Sequence, residues 1–273
     1  MYPPVGLLVS DFDETITLCD TLSTLIAKCP RMSDDCKHDC PPPWSYFVEL
    51  YFKELKEHIK HWGESHPEKT LEDFYKLLKS LEKVEERSMK RVEDFKCLIG
   101  VHPEELWEQG KIIKKRPGAV DVIKRYLENN PCSFFVLSTN WSRDMLLGCL
   151  QEIDGINKKI IISNDLKFEE DSSTGGLTRK VLTAIDKLEI FKQFTVPQET
   201  ISVYVGDSET DLPLDADIGI IMGNNVSLTR SCNKYGIEII EGLKSVSPKN
   251  SISNRKLFRV KDWIEIGESG LFD

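Results

Sequence analysis

Residues 9–17 read VSDFDETIT, and where the two aspartates fall decides how the rest of the chain is read. Just upstream, Val5–Ser10 is a short, mostly apolar run of the kind that forms a strand buried on both faces of a parallel sheet. The run ends at Asp11 and Asp13, which places both carboxylates at a strand's carboxyl edge. In an open α/β sheet that edge is where ligands bind. Alone, the pair reads more readily as an Asx turn that caps the next helix. Its meaning depends on what else the chain brings to that edge.

Beyond residue 17 the pattern becomes helical. The stretch PWSYFVELYFKELKEHIKHW (43–62) sets Trp44, Phe47, Val48, Tyr51, Phe52, Leu55, Ile59 and Trp62 at three-four spacing, with charges opposite. The spacing repeats through Leu71, Phe74, Leu77, Leu78 and Leu81, then more loosely through Met89, Val92 and Phe95. Gly100 marks a stop, and His102-Pro103 a new start. Residues 18–113 therefore read as a helical insertion after the first strand, with Phe47, Tyr51 and Phe52 as its core stripe, of which one or two can face a substrate.

After KKRPGA (114–119) strands and helices alternate. Strands are expected at 134–137, 159–163, 201–206 and 218–223. Helices are expected at about 142–151, 183–194 and 228–235, and a hairpin or loop excursion at 165–180. Short apolar runs alternating with helices predict an α/β fold, a parallel sheet flanked by helices. Ser245–Asn254 reads as disordered, ahead of a last amphipathic segment near Trp263.

Three strand ends then converge. The first carries Asp11 and Asp13, the 134–137 strand Ser138, Thr139 and Asn140, and the 201–206 strand Asp207 with Asp211 four residues on. At about 4 Å each unshielded carboxylate pair repels by roughly 4 kcal/mol at an effective dielectric of 20. Such a cluster calls for a cation, and an all-oxygen donor set with no compelling His or Cys nearby suits Mg²⁺. One aspartate can attack phosphorus, and the second, two residues on, can serve as acid and then base. Ser138 and a lysine are suited to hold the phosphoryl oxygens. Lys187 is preferred to Lys180 and Lys192 because it opens a helix; Arg179 and Lys180 read as solvated.

The segments DFDET (11–15), Ser138, Lys187 within AIDKLEIF (184–191) and GDSETDL (206–212) resemble, in order, the four motifs of the haloacid dehalogenase superfamily. The resemblance implies a Rossmann-like core spanning 1–17 and 114–273, with 18–113 as an all-helical C1-type cap. It implies a Mg²⁺-dependent phosphatase that works through an aspartyl-phosphate. Asp11 becomes nucleophile and metal ligand. Asp13 becomes acid/base and lends its backbone carbonyl to the metal. Asp207 and Asp211 complete the metal site, and Ser138 and Lys187 bind phosphate, with Thr139 and Asn140 beside them. Glu14 stands where the superfamily often has Gly. More narrowly, LSTNWS (137–142), DKLEIF (186–191) and residues 203–237 are similar to the phosphatase half of plant bifunctional thiamin monophosphate phosphatases. That makes thiamin monophosphate a candidate substrate. Phosphoserine, pyridoxal phosphate and pyrimidine 5′-nucleotides are alternatives from phosphatases of the same plan, and a non-catalytic regulatory scaffold is the alternative from another class.

Composition narrows the partners. A net charge of −9 over 273 residues argues against a nucleic-acid surface. No run approaches a membrane span, and the N-terminus lacks the features of a signal peptide. Eight scattered cysteines then read as reduced thiols in a cytoplasmic or nuclear protein; the oligomeric state is left open. Cys29, Cys36, His38 and Cys40 form a rival metal set, but C-x₆-C-x-H-x-C departs from the usual zinc spacing and reads as a loop of thiols. Trp141 reads equally as a stacking partner for a substrate ring or as packing for the next helix.

Overall fold

A computed structural model describes residues 4–66, 69–212, 215–243 and 256–272 of the chain. Strand β1 (Val5–Ser10) is followed by α1 (Leu22–Ile26), α2 (Trp44–Ser65), α3 (Leu71–Ser80), α4 (Glu82–Asp94) and α5 (Pro103–Lys111). Next come α6 (Ala119–Asn129), β2 (Phe134–Leu137), α7 (Arg143–Leu150), β3 (Ile161–Ile162), the hairpin β4 (Asp165–Glu169) and β5 (Ser172–Thr178), and α8 (Ala184–Phe191). The chain closes with β6 (Ile201–Gly206), β7 (Ile218–Met222), α9 (Val226–Lys234), β8 (Glu238–Glu241), β9 (Lys256–Val260) and α10 (Trp263–Glu268).

Seven strands pair in the order β3-β2-β1-β6-β7-β9-β8, every pair parallel. Every residue of β1 and of β6 is buried, as their unbroken runs require of central strands covered on both faces. The strand order reverses between β1 and β6, which makes their carboxyl ends the switch point where such sheets bind ligands. Ser10 lies opposite Val205, and the Asp11 N–H extends the ladder to the Val205 carbonyl (2.8 Å). The register thus runs Asp11 out opposite Gly206, one residue short of Asp207.

Several sequence boundaries move inward. The strand expected at 159–163 shortens to Ile161–Ile162, and the helix expected at 183–194 stops at Phe191. Thr183 starts that helix through a capping box with Asp186, and Ser142 caps α7 by accepting from the Met145 N–H (3.1 Å). The excursion at 165–180 is an antiparallel hairpin. Strands β8 and β9 were not foreseen, and the 245–254 stretch read as disordered lies outside the described residues.

The helical segment packs down on the sheet layer at several points. Cβ atoms built on Gly110 and Gly148 meet the Met145 and Trp107 carbonyls, at 2.1 and 2.0 Å, so α5 and α7 approach at distances only glycine permits. Phe74 of α3 packs on Tyr235 beyond α9, ring centroids 5.3 Å apart. Arg179 is exposed but not merely solvated: it pairs with Glu93 of α4 (3.0 Å), whose carboxylate also accepts from the Leu177 N–H (2.7 Å). The aromatic stripe of α2 divides. Phe47 is buried, Tyr51 is half-buried, and Phe52, expected in the core, is 60% exposed. Among the described residues no helix is long and apolar enough to cross a membrane.

Candidate active site

Asp11, Asp207 and Asp211 each present a carboxylate oxygen within 4.8 Å of the other two, and all three are buried. Lys187 enters from α8, 1% exposed, with Nζ 2.9 Å from Asp11 Oδ2 and 2.8 Å from Asp211 Oδ1. Lys180 and Lys192 are exposed, and Lys192 pairs with Glu189 (3.0 Å). Asp211 is the most thoroughly held of the acids. Besides Lys187 it accepts from Tyr204 Oη (2.7 Å) and from the N–H groups of Asp207 and Ser208 (3.2 Å each). Asp11 Oδ1 accepts from the Phe12 N–H (2.7 Å), and Thr15 Oγ1 donates to Asp207 (3.3 Å).

Asp13 departs from the expected four-carboxylate convergence. Its Oδ1 accepts from the Thr21 N–H and hydroxyl (2.9 and 2.6 Å), and its Oδ2 accepts from the Asn140 amide (2.9 Å). The carboxylate is thus turned out of the three-acid group toward the start of the helical segment. Asn140 is committed to that carboxylate, while its own Oδ1 accepts from the Ser142 N–H (3.1 Å). Ser138 is buried at the end of β2, its hydroxyl accepting from the Asn140 N–H (3.1 Å). Thr139 is exposed at the rim, its carbonyl held by the Asn164 amide (3.0 Å).

A cavity of ≈ 290 Å³ opens beside Asp13, Thr139 and Asn140, walled by Trp44, Phe47, Tyr51 and Trp141. Trp141 faces the cavity and packs edge-on against Trp44 of α2 at 6.3 Å. The rival metal set is not assembled. Cys36 and Cys40, Cα atoms 5.8 Å apart, are joined in a disulfide, while Cys29 is buried and its thiol donates to the Leu25 carbonyl (3.5 Å). The expectation of eight reduced thiols is corrected by this pair; the other six lie outside any disulfide.

No family model matches the chain. The bifunctional TH2 protein of Arabidopsis thaliana, named as mitochondrial, is 28% identical over 306 residues, covering 95% of this chain and 48% of its own length. The chain thus spans about half of that plant relative, which agrees with the narrower resemblance of residues 203–237. A CTO1 family protein of Schizosaccharomyces pombe is 25% identical over 285 residues, covering 97% of this chain and 99% of that protein. A phosphoserine phosphohydrolase-like protein from Francisella tularensis superposes with a TM-score of 0.54 at 12% identity, over 97% of this chain and 99% of that one. The chain has the haloacid dehalogenase fold.

Within this haloacid dehalogenase core the residue after the second aspartate explains itself. Glu14 has φ +56°, a conformation that favours glycine, and its peptide is secured by Thr17 Oγ1 (3.1 Å) and Arg116 Nε (2.8 Å). Tyr204, Thr21 and Asn164 are site residues that motif reading missed. Tyr204 carried a signal: a phenol on a central strand needs a buried partner. Asn164, at the end of β3, binds the 180–181 backbone through Oδ1 (2.8 and 3.0 Å) and fastens the hairpin foot to Thr139.

One lysine faces three buried carboxylates, so the acid cluster carries excess negative charge. Burial pushes the Asp11 carboxyl up to about 7, with Lys187 pulling down and Asp211 pushing up. Burial, then repulsion from Asp211 and Asp11, pushes Asp207 up to about 8. Burial works to lower the Lys187 ammonium, but Asp11 and Asp211 together hold it above the ordinary lysine value. An all-oxygen donor set with uncompensated charge fits a hard divalent cation.

A stability prediction follows from these shifts. Both carboxyls are raised above their unfolded value of 3.8, so the folded protein keeps protons that the unfolded chain releases. Stability of the metal-free protein should therefore be full below about pH 4 as far as these groups are concerned. It should be lost progressively as pH rises through about 7–8. Thermal melts in chelator are expected to show Tm falling between pH 5 and pH 8, by about 2–4 °C for each kcal/mol lost. Added Mg²⁺ should restore more at pH 8 than at pH 5; a pH-independent Tm, or equal restoration at both values, contradicts the charge assignment.

Proposed function

We propose that the chain is a phosphoric monoester hydrolase acting on small phosphorylated metabolites, with Asp11 as nucleophile and Asp13 as acid and then base. The observation that carries this reading is the division of labour between the two aspartates. Asp11 lies in the charged cluster against Lys187, while Asp13 faces the adjoining cavity under a hydrogen-bonded clamp. In the first step an Asp11 oxygen bonds to phosphorus and the ester P–O bond breaks, with Asp13 giving its proton to the departing oxygen. In the second, Asp13 takes a proton from water as that water attacks phosphorus, freeing inorganic phosphate and the Asp11 carboxylate. Burial raises the Asp13 carboxyl while hydrogen bonds from Asn140 and Thr21 pull it back, a balance suited to a group that must both give and take a proton.

Asp11, Asp207 and the Asp13 carbonyl would hold Mg²⁺, with Asp211, already occupied by five donors, acting as an orienting group. When bound, the cation offsets charge between nucleophile and phosphate. Lys187 and Ser138 are assigned to the phosphoryl oxygens. Residues 18–113 are read as a cap that closes over the site and chooses the leaving group. Thiamin monophosphate is the first substrate to test, on the resemblance of 137–142, 186–191 and 203–237 to the plant phosphatases. A cytoplasmic location is part of the proposal, in keeping with six cysteines outside any disulfide.

The test is phosphate release, with and without Mg²⁺, from p-nitrophenyl phosphate, thiamin monophosphate, phosphoserine, pyridoxal phosphate and pyrimidine 5′-monophosphates. Mg²⁺-dependent turnover with one preferred metabolite is expected. No release from any compound would move the assignment to a non-catalytic scaffold.

A further inference from the structure

Tyr204 is the one aromatic residue of β6, and its place beside Lys187 is more specific than burial requires. Its side chain lies on the sheet face covered by α8, among Leu7, Val9, Leu137 and Phe191. It meets that helix twice. The ring packs edge-on against Phe191, centroids 6.0 Å apart. The hydroxyl donates to Asp211 Oδ1 (2.7 Å), the same oxygen that accepts from Lys187 Nζ (2.8 Å). Lys187 and Phe191 are four residues apart on α8, so both lie on the face turned to β6.

Asp211 is built into the wall behind the lysine. Its Oδ2 accepts from the Asp207 and Ser208 N–H groups (3.2 Å each) and from the Ser208 hydroxyl (3.3 Å). A Cβ on Gly206 would come within 2.5 Å of its carboxyl carbon, so the carboxylate packs against backbone that only glycine leaves open. With Oδ2 fastened in this way, Tyr204 is the neutral donor that settles where Oδ1 sits. Burial and the charges of Asp211 and Asp11 hold the phenol well above its ordinary pKa, so it stays a donor.

A lysine ammonium has three protons to donate. Here Asp11 Oδ2 takes one (2.9 Å) and Asp211 Oδ1 a second (2.8 Å), and the tetrahedral nitrogen then fixes the direction of the third. Without the phenol, Lys187 is the only donor left on Oδ1 among the described residues, and the ion pair can shift as a unit. We infer that Tyr204 is a positioning residue, its hydroxyl acting through Asp211 to aim the remaining N–H of Lys187 at the phosphoryl group. The inference rests on the phosphatase reading for what Lys187 faces. It deepens that reading by bringing a neutral residue outside the four motifs into anion binding.

Two variants separate the hydroxyl from the ring. Tyr204→Phe removes the hydroxyl and keeps the contact with Phe191, whereas Phe191→Leu removes that contact and keeps the hydroxyl. The affinity of the full chain for orthovanadate, a phosphate mimic, is measured at saturating Mg²⁺, and the affinity for Mg²⁺ by calorimetry with no anion present. Tyr204→Phe is expected to weaken vanadate binding about tenfold or more, with Mg²⁺ affinity within about twofold of wild type. Its kcat/KM for p-nitrophenyl phosphate should fall alongside. Phe191→Leu should lower Tm at least as far as Tyr204→Phe and leave vanadate affinity within about twofold of wild type. Wild-type vanadate affinity in Tyr204→Phe overturns the inference. So does a loss of Mg²⁺ affinity as large as the loss of vanadate affinity, which would make the hydroxyl a support of the metal-binding acids. Equal weakening by Phe191→Leu also overturns it, since packing would then explain the effect. The two readings fail separately. Ester hydrolysis with unchanged vanadate affinity in Tyr204→Phe removes the inference alone. The expected weakening in a protein that hydrolyses no ester removes the phosphatase reading and leaves the role of Tyr204 standing.

Discussion

Asp11→Asn is expected to lower phosphate release at least about 10⁴-fold while leaving the protein folded. The amide is no nucleophile toward phosphorus, and it brings one negative charge fewer to the cation. The fold loses one contact, the Asp11 Oδ2 partner of Lys187 (2.9 Å), but the ammonium keeps Asp211 (2.8 Å). Asn offers an oxygen of the same reach to the Phe12 N–H, which now donates to Asp11 Oδ1 at 2.7 Å. The buried Asp11 carboxyl is pushed up to about 7, so above that pH a neutral isostere removes an unfavourable charge. Melts at pH 8 in chelator should therefore show a Tm no lower than that of the wild type. A variant that keeps a tenth or more of wild-type turnover contradicts the role of Asp11, whatever its stability.

Lys187→Met is expected to damage stability as well as turnover. The side chain is 1% exposed and bridges Asp11 and Asp211 at 2.9 and 2.8 Å. Methionine fills much the same volume, so packing is nearly conserved, but two buried carboxylates lose their ammonium. Breaking a buried ion pair from one side costs about 3–5 kcal/mol, which corresponds to a Tm lowered by roughly 10 °C. The deficit should shrink from pH 8 to pH 5, because carboxyls raised by burial take up protons as pH falls and the stranded charge disappears. Saturating Mg²⁺ should recover part of it. A variant with the wild-type Tm at pH 8 would show that Lys187 does not balance the acids.

The acid cluster was legible in the sequence because it rests on two central strands whose order and register leave little choice. Val5–Ser10 and Ile201–Gly206 are apolar throughout except for Ser10, Ser202 and Tyr204, and each ends at its aspartate. Lys187 was legible for a related reason: a capped helix follows the hairpin, and the lysine lies one turn inside it. The turning of Asp13 was not. It depends on Thr21 and Asn140, from two separate loops, reaching one carboxylate. The cavity was hidden for the same reason, since the three-four spacing of α2 marks a face without saying what it meets. Phe47 met the core, but Tyr51 and Phe52 met open space. Strands β8 and β9 escaped notice because each is a short run carrying charged residues. Moreover, β9 inserts between β7 and β8 rather than continuing past β8.

The most direct test of the account is chemical trapping of the covalent intermediate. The protein would be mixed with Mg²⁺ and p-nitrophenyl phosphate, quenched in acid and reduced with borohydride, which converts an aspartyl-phosphate to homoserine. Peptide mass spectrometry then locates the modified residue. Homoserine at position 11, dependent on both substrate and Mg²⁺ and absent without either, is the predicted result. Phosphate release with residue 11 unmodified, or with the modification at another aspartate, would contradict the account.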